Sequence, residues 1–162
     1  MTYKELLIQD MKWLSEQEDT IFIGQNIINS GRYQGTLNEV PLNKCIEMPL
    51  AENLIVGCAM GLTLKGYRPV IPFLRMDFML SCADAIINHV AFMHFPVIFR
   101  ASIGHNQKRF DGGFQQSKDL THIFEKYLKV VEFGKGICQG VYANNKEPAI
   151  IVERRDLYEF ET

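Results

Sequence analysis

The chain has 162 residues, 47% hydrophobic and 22% charged, with 17 basic residues against 19 acidic ones. This is an ordinary soluble globular composition, long enough for one domain with one substantial core. The near-neutral charge gives no basic face for nucleic acid, and no apolar run approaches the roughly 18–20 residues that cross a bilayer.

Residues 3–17 read as an amphipathic helix: Leu6, Leu7, Met11 and Leu14 recur at helical spacing, Thr2 can cap, and Glu5 suits the first turn. Ile21–Gly24 is a short apolar run closed by glycine, the pattern of a buried parallel strand. Residues 25–44 form a long connection with little periodicity, and loops of that length in compact domains often carry function. Residues 45–48 read as a short edge strand. Pro49 to Glu52 opens a helix running to about Lys65, with Leu54, Ile55, Cys58 and Leu62 as its apolar face and Gly66 closing it. Gly57 and Gly61 inside this helix each cost about 1 kcal/mol relative to alanine, which a close approach by a neighbouring element or subunit would explain.

A second strand follows at Pro69–Leu74. Residues 76–93 read as the next helix, capped by Asp77, with Met79, Leu80, Ala83, Ile86, Ile87 and Val90 as its stripe. Pro96–Ala101 is a third strand, and a polar loop with glycines occupies residues 102–116. Ser117 starts a helix with Leu120, Ile123 and Phe124 on one face. Leu128–Val131 is a fourth strand, residues 136–145 are helical, and Ala149–Val152 is a fifth.

Short continuous apolar strands alternating with helices predict an α/β fold: a three-layer sandwich whose mainly parallel sheet is flanked by helices, formed by residues 1–162 as a single domain. Ligands in such sheets bind beyond the carboxyl ends of the strands, so the loops at 25–44, 75–78 and 102–116 are the expected site walls. No GxGxxG, P-loop or GxSxG pattern is present. Cys45, Cys58, Cys82 and Cys138 lack metal-type spacing and read as small hydrophobes in a reducing cytoplasm. The start MTYKELL is no signal peptide, so a cytoplasmic location is expected. His89 and His94 bracket a helix end and no metal site is expected, whereas His105 lies in a loop after a strand, where polar site residues gather.

Glu52 is the lone carboxylate at the mouth of an apolar helix. Residue chemistry leaves two readings open. A carboxylate is favourable in any first turn, and it is also the group that would serve as an acid in an apolar pocket.

Taken together, Pro49-Leu50-Ala51-Glu52, Ile55-Val56-Gly57, Gly66 to Val70, Asp77-Phe78, Asp84 to His89, Pro96 to Arg100, Leu128 to Val131 and Pro148 to Glu153 form an ordered string. It resembles the pyrimidine-binding domain of thiamin-diphosphate enzymes, closest to the beta subunit of 2-oxo acid dehydrogenase decarboxylase components and the transketolase branch. The resemblance covers essentially the whole chain. It implies that Glu52 is the catalytic acid, hydrogen-bonding the ring nitrogen of the cofactor's aminopyrimidine and so activating it. It also implies that Leu50, Leu74 and Phe78 line that ring, with Leu50 and Leu54 keeping the carboxyl in an apolar setting.

The departures matter too. Where the family carries a substrate-facing histidine this chain has Gln116, for which His105 is the substitute. Gln25 stands where the family often has an acid. The family's GDG-and-Asn motif for the diphosphate and Mg²⁺ is absent, since the only Asp-Gly is Asp111-Gly112. The resemblance therefore implies a separate alpha-type, diphosphate-binding subunit that holds most of the Mg²⁺ site, in a homodimer or heterotetramer acting on a small-molecule substrate. The reaction implied is two-carbon ketol transfer or 2-oxo acid decarboxylation. The other reading is a non-catalytic regulatory or assembly module that keeps the fold.

Overall fold

A computed structural model of the chain describes residues 1–29, 31–104, 118–144 and 147–161. Helix α1 (Tyr3–Glu16) starts with a reciprocal cap: the Glu5 N–H donates to Thr2 Oγ1 at 3.2 Å, and the Thr2 N–H donates to the Glu5 carboxylate at 2.8 Å. Its Leu7, Met11 and Leu14 are buried at helical spacing. Strand β1 (Thr20–Gly24) follows, and then the long connection leads to β2 (Cys45–Glu47). After α2 (Glu52–Thr63) come β3 (Arg68–Phe73), β4 (Ile98–Ile103), the single turn α3 (Thr121–Phe124), β5 (Lys129–Glu132), α4 (Ile137–Ala143) and β6 (Ala149–Arg154).

All six strands join one parallel sheet in the order β2-β1-β3-β4-β6-β5. Phe22 sits opposite both Cys45 and Val70, Val70 opposite Ile98, and Arg100 opposite Ile151. One face carries α2, residues 76–91 and α3 around Ile71, Phe99 and Ile150. The other carries α1, α4 and residues 27–40 around Phe22, Val70 and Ile151. Both faces are covered, which is why the strands read as unbroken apolar runs. The expected three-layer α/β sandwich is the observed one.

Four local expectations need correction. The buried side of α2 is Ile55, Val56 and Ala59, while Leu54 (52% exposed) and Cys58 face outward. Every position around this helix is apolar or small, so composition cannot tell which side meets the sheet. Among the described residues, a Cβ at Gly57 or Gly61 would meet nothing within 4 Å, so no described element makes the close approach.

Residues 76–93 are not one α-helix. A 3₁₀ segment (Met76–Cys82) runs into a π-helical turn (Ala85–Ala91). The mixed winding buries Met76, Met79, Cys82, Ala85, Ile86 and Val90, and leaves Leu80 exposed. Asp77 does not cap. The residue preceding the segment is Arg75, and Asp77 Oδ2 instead accepts the Lys118 N–H at 3.3 Å. No helix among the described residues is long and apolar enough to cross a membrane.

Candidate functional site

The chain leaves β1 toward β2 and leaves β3 toward β4, in opposite directions across the sheet. The loops after these two neighbours therefore part, and a crevice opens beyond their carboxyl ends. Proline sharpens the gap. Pairing between β1 and β3 runs only from Thr20 and Arg68 to Phe22 and Val70, so Pro72, which has no N–H, lies past the end of that ladder. Gly24 allows the close packing there, since a Cβ on it would stand 3.4 Å from Pro72 Cδ.

A cleft occupies this crevice. Its floor and one wall are Ile71, Pro72 and Phe73 of β3, with Leu74 and Phe78 just beyond. The start of α2 supplies Leu50, Glu52 and Ile55, and the long connection supplies Gln25, Asn26 and Tyr33. Leu50, Glu52, Leu74 and Phe78, named from the sequence, are thus brought to one place. The inner cavity measures about 30 Å³, room for a water molecule, and Leu50 stands 69% exposed at the lip. Glu52 is half-buried, in the first turn of α2. It lies close enough to Cys82 that its charge adds to burial in pushing that thiol up to about 12. Leu54 is not part of the lining, because its side of α2 faces away. His105 and Gln116 lie outside the described residues.

Tyr33 and Asn26 were not found from the sequence. Asn26, Arg32, Tyr33 and Gln34 all have left-handed backbone angles, an unusual run for residues with side chains. Side-chain bonds hold it: Arg32 donates from Nε to Ile27 O (3.2 Å), from Nη1 to Asn38 O (3.0 Å) and from Nη2 to Val40 O (2.7 Å). The Tyr33 hydroxyl donates to Phe73 O, joining the loop to the end of β3. Burial holds that phenol well above its usual range. The available signal was an aromatic residue bracketed by Gly31 and Gly35 in a loop too long to be only a connector.

Behind Tyr33 lies a fully buried ion pair. Arg100 donates from Nε (2.8 Å) and Nη2 (2.6 Å) to Glu153 Oε2, with both side chains at 0% exposure. Arg100 Nη2 also reaches Thr36 Oγ1 at 2.8 Å, and its guanidinium carbon stands 4.4 Å from the Tyr33 ring centre. Burial, the largest single influence, would push this guanidinium down, but the Glu153 carboxylate together with the neighbouring Tyr33 and Tyr158 offsets it and the net direction is up. Through Thr36 and the Tyr33 ring, the pair fastens the loop to the sheet. Among the described residues, no group of three or more His, Cys, Asp or Glu side chains is placed to hold a metal ion.

Known proteins share this fold. The family described as "Transketolase, pyrimidine binding domain" matches residues 4–128. The chain belongs to that family. The match runs from α1 through α3 and so takes in every described wall of the cleft of this transketolase-type pyrimidine-binding domain. It is 25% identical over 178 aligned positions to the mitochondrial pyruvate dehydrogenase E1 component subunit beta of Saccharomyces cerevisiae, covering 98% of this chain and 48% of that one. It is 31% identical over 134 positions to the acetoin:2,6-dichlorophenolindophenol oxidoreductase subunit beta of Cupriavidus necator, covering 74% of this chain and 38% of the relative. Among solved structures, one described as a split gene transketolase, inactive beta4 tetramer, superposes with a TM-score of 0.75 at 16% identity, over 96% of this chain and 52% of the other. These relatives share the fold, and the chain spans about half their length or less.

Proposed function

We propose that this chain supplies the aminopyrimidine-facing half of a thiamin-diphosphate site in a split enzyme, with a separate subunit holding the diphosphate and Mg²⁺. The observation that carries the reading is the single carboxylate, Glu52, set among apolar and aromatic walls at the crevice between β1 and β3. The donor set suits an aminopyrimidine: one carboxyl for a ring nitrogen, Phe78 for the ring face, and Leu50, Leu74 and Ile55 to exclude water. The inner cavity is narrower than a ring, so Leu50 at the lip is the side chain that gives way.

When bound, thiamin diphosphate supplies a carbon nucleophile for 2-oxo acids or ketoses. The task of Glu52 is to hold a proton at the ring nitrogen and so set the base strength of the ring's amino group. The apolar walls strengthen that hydrogen bond by keeping water away. The names of the relatives support a divided enzyme: two are beta subunits, and the structural neighbour is a split transketolase. The outward stripe of α2 (Leu54, Gly57, Cys58, Gly61) runs from the exposed Leu50, so a subunit seated there would also close the cleft.

The test is turnover of the chain co-purified with its partner, offered 2-oxo acids and ketose phosphates with thiamin diphosphate and Mg²⁺. Glu52→Gln is expected to lower turnover by at least about 10²-fold. Near-normal turnover in that variant would remove Glu52 from the chemistry. A complex that binds no cofactor at all would point to the assembly-module reading instead.

A further inference from the structure

The last residue of β2, Glu47, is absent from the cleft lining, yet it fastens the loop that forms one wall. Its Oε1 accepts the Asn26 N–H at 2.6 Å, and its Oε2 accepts the N–H groups of Ile27 (2.9 Å) and Ile28 (2.7 Å). Three consecutive backbone N–H groups converging on one carboxylate form an anion nest. Such a nest elsewhere receives an outside phosphate or carboxylate, and here the chain fills it with its own anion.

Asn26 is the residue on which this matters. Its φ of +56° is left-handed, a region that asparagine enters more readily than most residues, and the Glu47 carboxylate on its N–H is what selects that conformation here. The Asn26 carbonyl accepts the Tyr33 N–H at 2.8 Å, so fixing Asn26 also fixes Tyr33. Both residues line the cleft opposite Glu52. The ends of the two strands are in register, Gly24 beside Glu47, and the Met48 N–H donates to Gly24 O at 2.8 Å, so the carboxylate is delivered from a rigid edge.

We propose that Glu47 is a positioning residue for the cleft: as a built-in anion it holds the Gln25–Ile28 turn, and through it the Asn26 and Tyr33 wall against which the aminopyrimidine is seated. The inference rests on the reading of the cleft given above. Glu47→Gln keeps the size but points an amide at three N–H donors. Lys44 gives the matched control. It precedes the first residue of the same strand, donating from Nζ to the carbonyls of Gln17 (2.8 Å), Glu18 (3.0 Å) and Thr20 (3.1 Å), none of which lines the cleft.

The experiment uses the full-length ¹⁵N-labelled chain, with thiamin as the probe titrated to millimolar concentration and amide exchange recorded in parallel. Glu47→Gln is expected to weaken thiamin binding by about tenfold, and to speed exchange at Asn26, Ile27 and Ile28. Lys44→Met is expected to lower the melting temperature while binding stays within about twofold of wild type. Glu47→Asp, with the charge one methylene short of the nest, is the second variant should Glu47→Gln not fold, and a smaller loss in the same direction is expected. Unchanged binding in the Glu47 variants, or an equal loss in Lys44→Met, would overturn the inference. Wild type that binds no thiamin would sink the reading of the cleft. The anchoring role is then decided by exchange alone: fast exchange at residues 26–28 in Glu47→Gln supports it, and unchanged exchange overturns it.

Discussion

Glu52 and Glu153 are both carboxylates near the carboxyl end of the sheet, and their surroundings differ. Glu153 is fully buried and already paired with Arg100, so it is a fastener. Removing its charge leaves a buried guanidinium without its counter-ion, and Glu153→Gln is expected to cost about 3–5 kcal/mol in urea-induced unfolding. Glu52 has room in front of it and an open lip beside it, so it is the carboxyl free to meet a guest.

The cysteines give a second prediction at the residue scale. Cys58 is exposed, whereas Cys82 and Cys138 are buried and held above the usual thiol range. A thiol with a raised native pKa stays protonated in the folded state, and the stability this provides is lost as pH rises past the unfolded value toward the native one. Iodoacetamide at pH 8, read by mass spectrometry, is therefore expected to label Cys58 in the native chain. Cys82 and Cys138 are expected to react only after unfolding. Labelling of Cys82 at the rate of Cys58 would contradict its placement under α2.

At this scale the sequence disclosed part of the site. The family resemblance named Glu52, Leu50, Leu74 and Phe78, and the fold brings these four to one cleft. Asn26, Tyr33 and Glu47 were hidden because their roles come from a left-handed loop and a nest, which have no hydrophobic period.

Among the elements, α2 carries most of the consequences. It presents Glu52 at its first turn, packs Ile55, Val56 and Ala59 on the sheet, and turns two glycines to the outside. Among the described residues nothing lies within 4 Å of a Cβ built at Gly57 or Gly61, so no described contact offsets their cost in a helix. Gly57→Ala is expected to stabilise the isolated chain by roughly 0.5–1 kcal/mol, measured by denaturant unfolding. The same change is expected to weaken association with a partner subunit, read by sedimentation. Destabilisation of the lone chain would mean an intrachain contact at Gly57.

The helix was legible from its caps and apolar content, but its orientation was not, since Leu54, Ile55 and Cys58 are equally apolar candidates for burial. Likewise the 76–93 stretch has a helical composition, and only packing decides that it winds as 3₁₀ and then π. Such departures from α-winding are frequent beside functional sites, and this one places Phe78 in the cleft. Strand β3 was legible as a strand although Pro72 argues against a central position, because the proline falls where β1 has already parted from it.

On the scale of the molecule, strand and helix alternation announced the layered α/β fold. Strand order followed only from the three-dimensional pairing. That order places the crevice between β1 and β3 and gathers residues from three connections around Glu52. The lip residue Leu50 and Leu54 on the outer side of α2 are apolar and exposed, as the proposed half-site requires. The proposal assigns ring activation to this side and diphosphate binding to another subunit.

The most direct test is thiamin diphosphate titrated into the ¹⁵N-labelled full-length chain, with the shifted amides mapped onto the structure. The account predicts weak, saturable shifts at Glu52, Ile55, Leu74 and Phe78, which Glu52→Gln reduces. Saturable shifts confined to the opposite end of the sheet, around Glu18 and Tyr67, or no shifts at the four cleft residues at millimolar ligand, would contradict it.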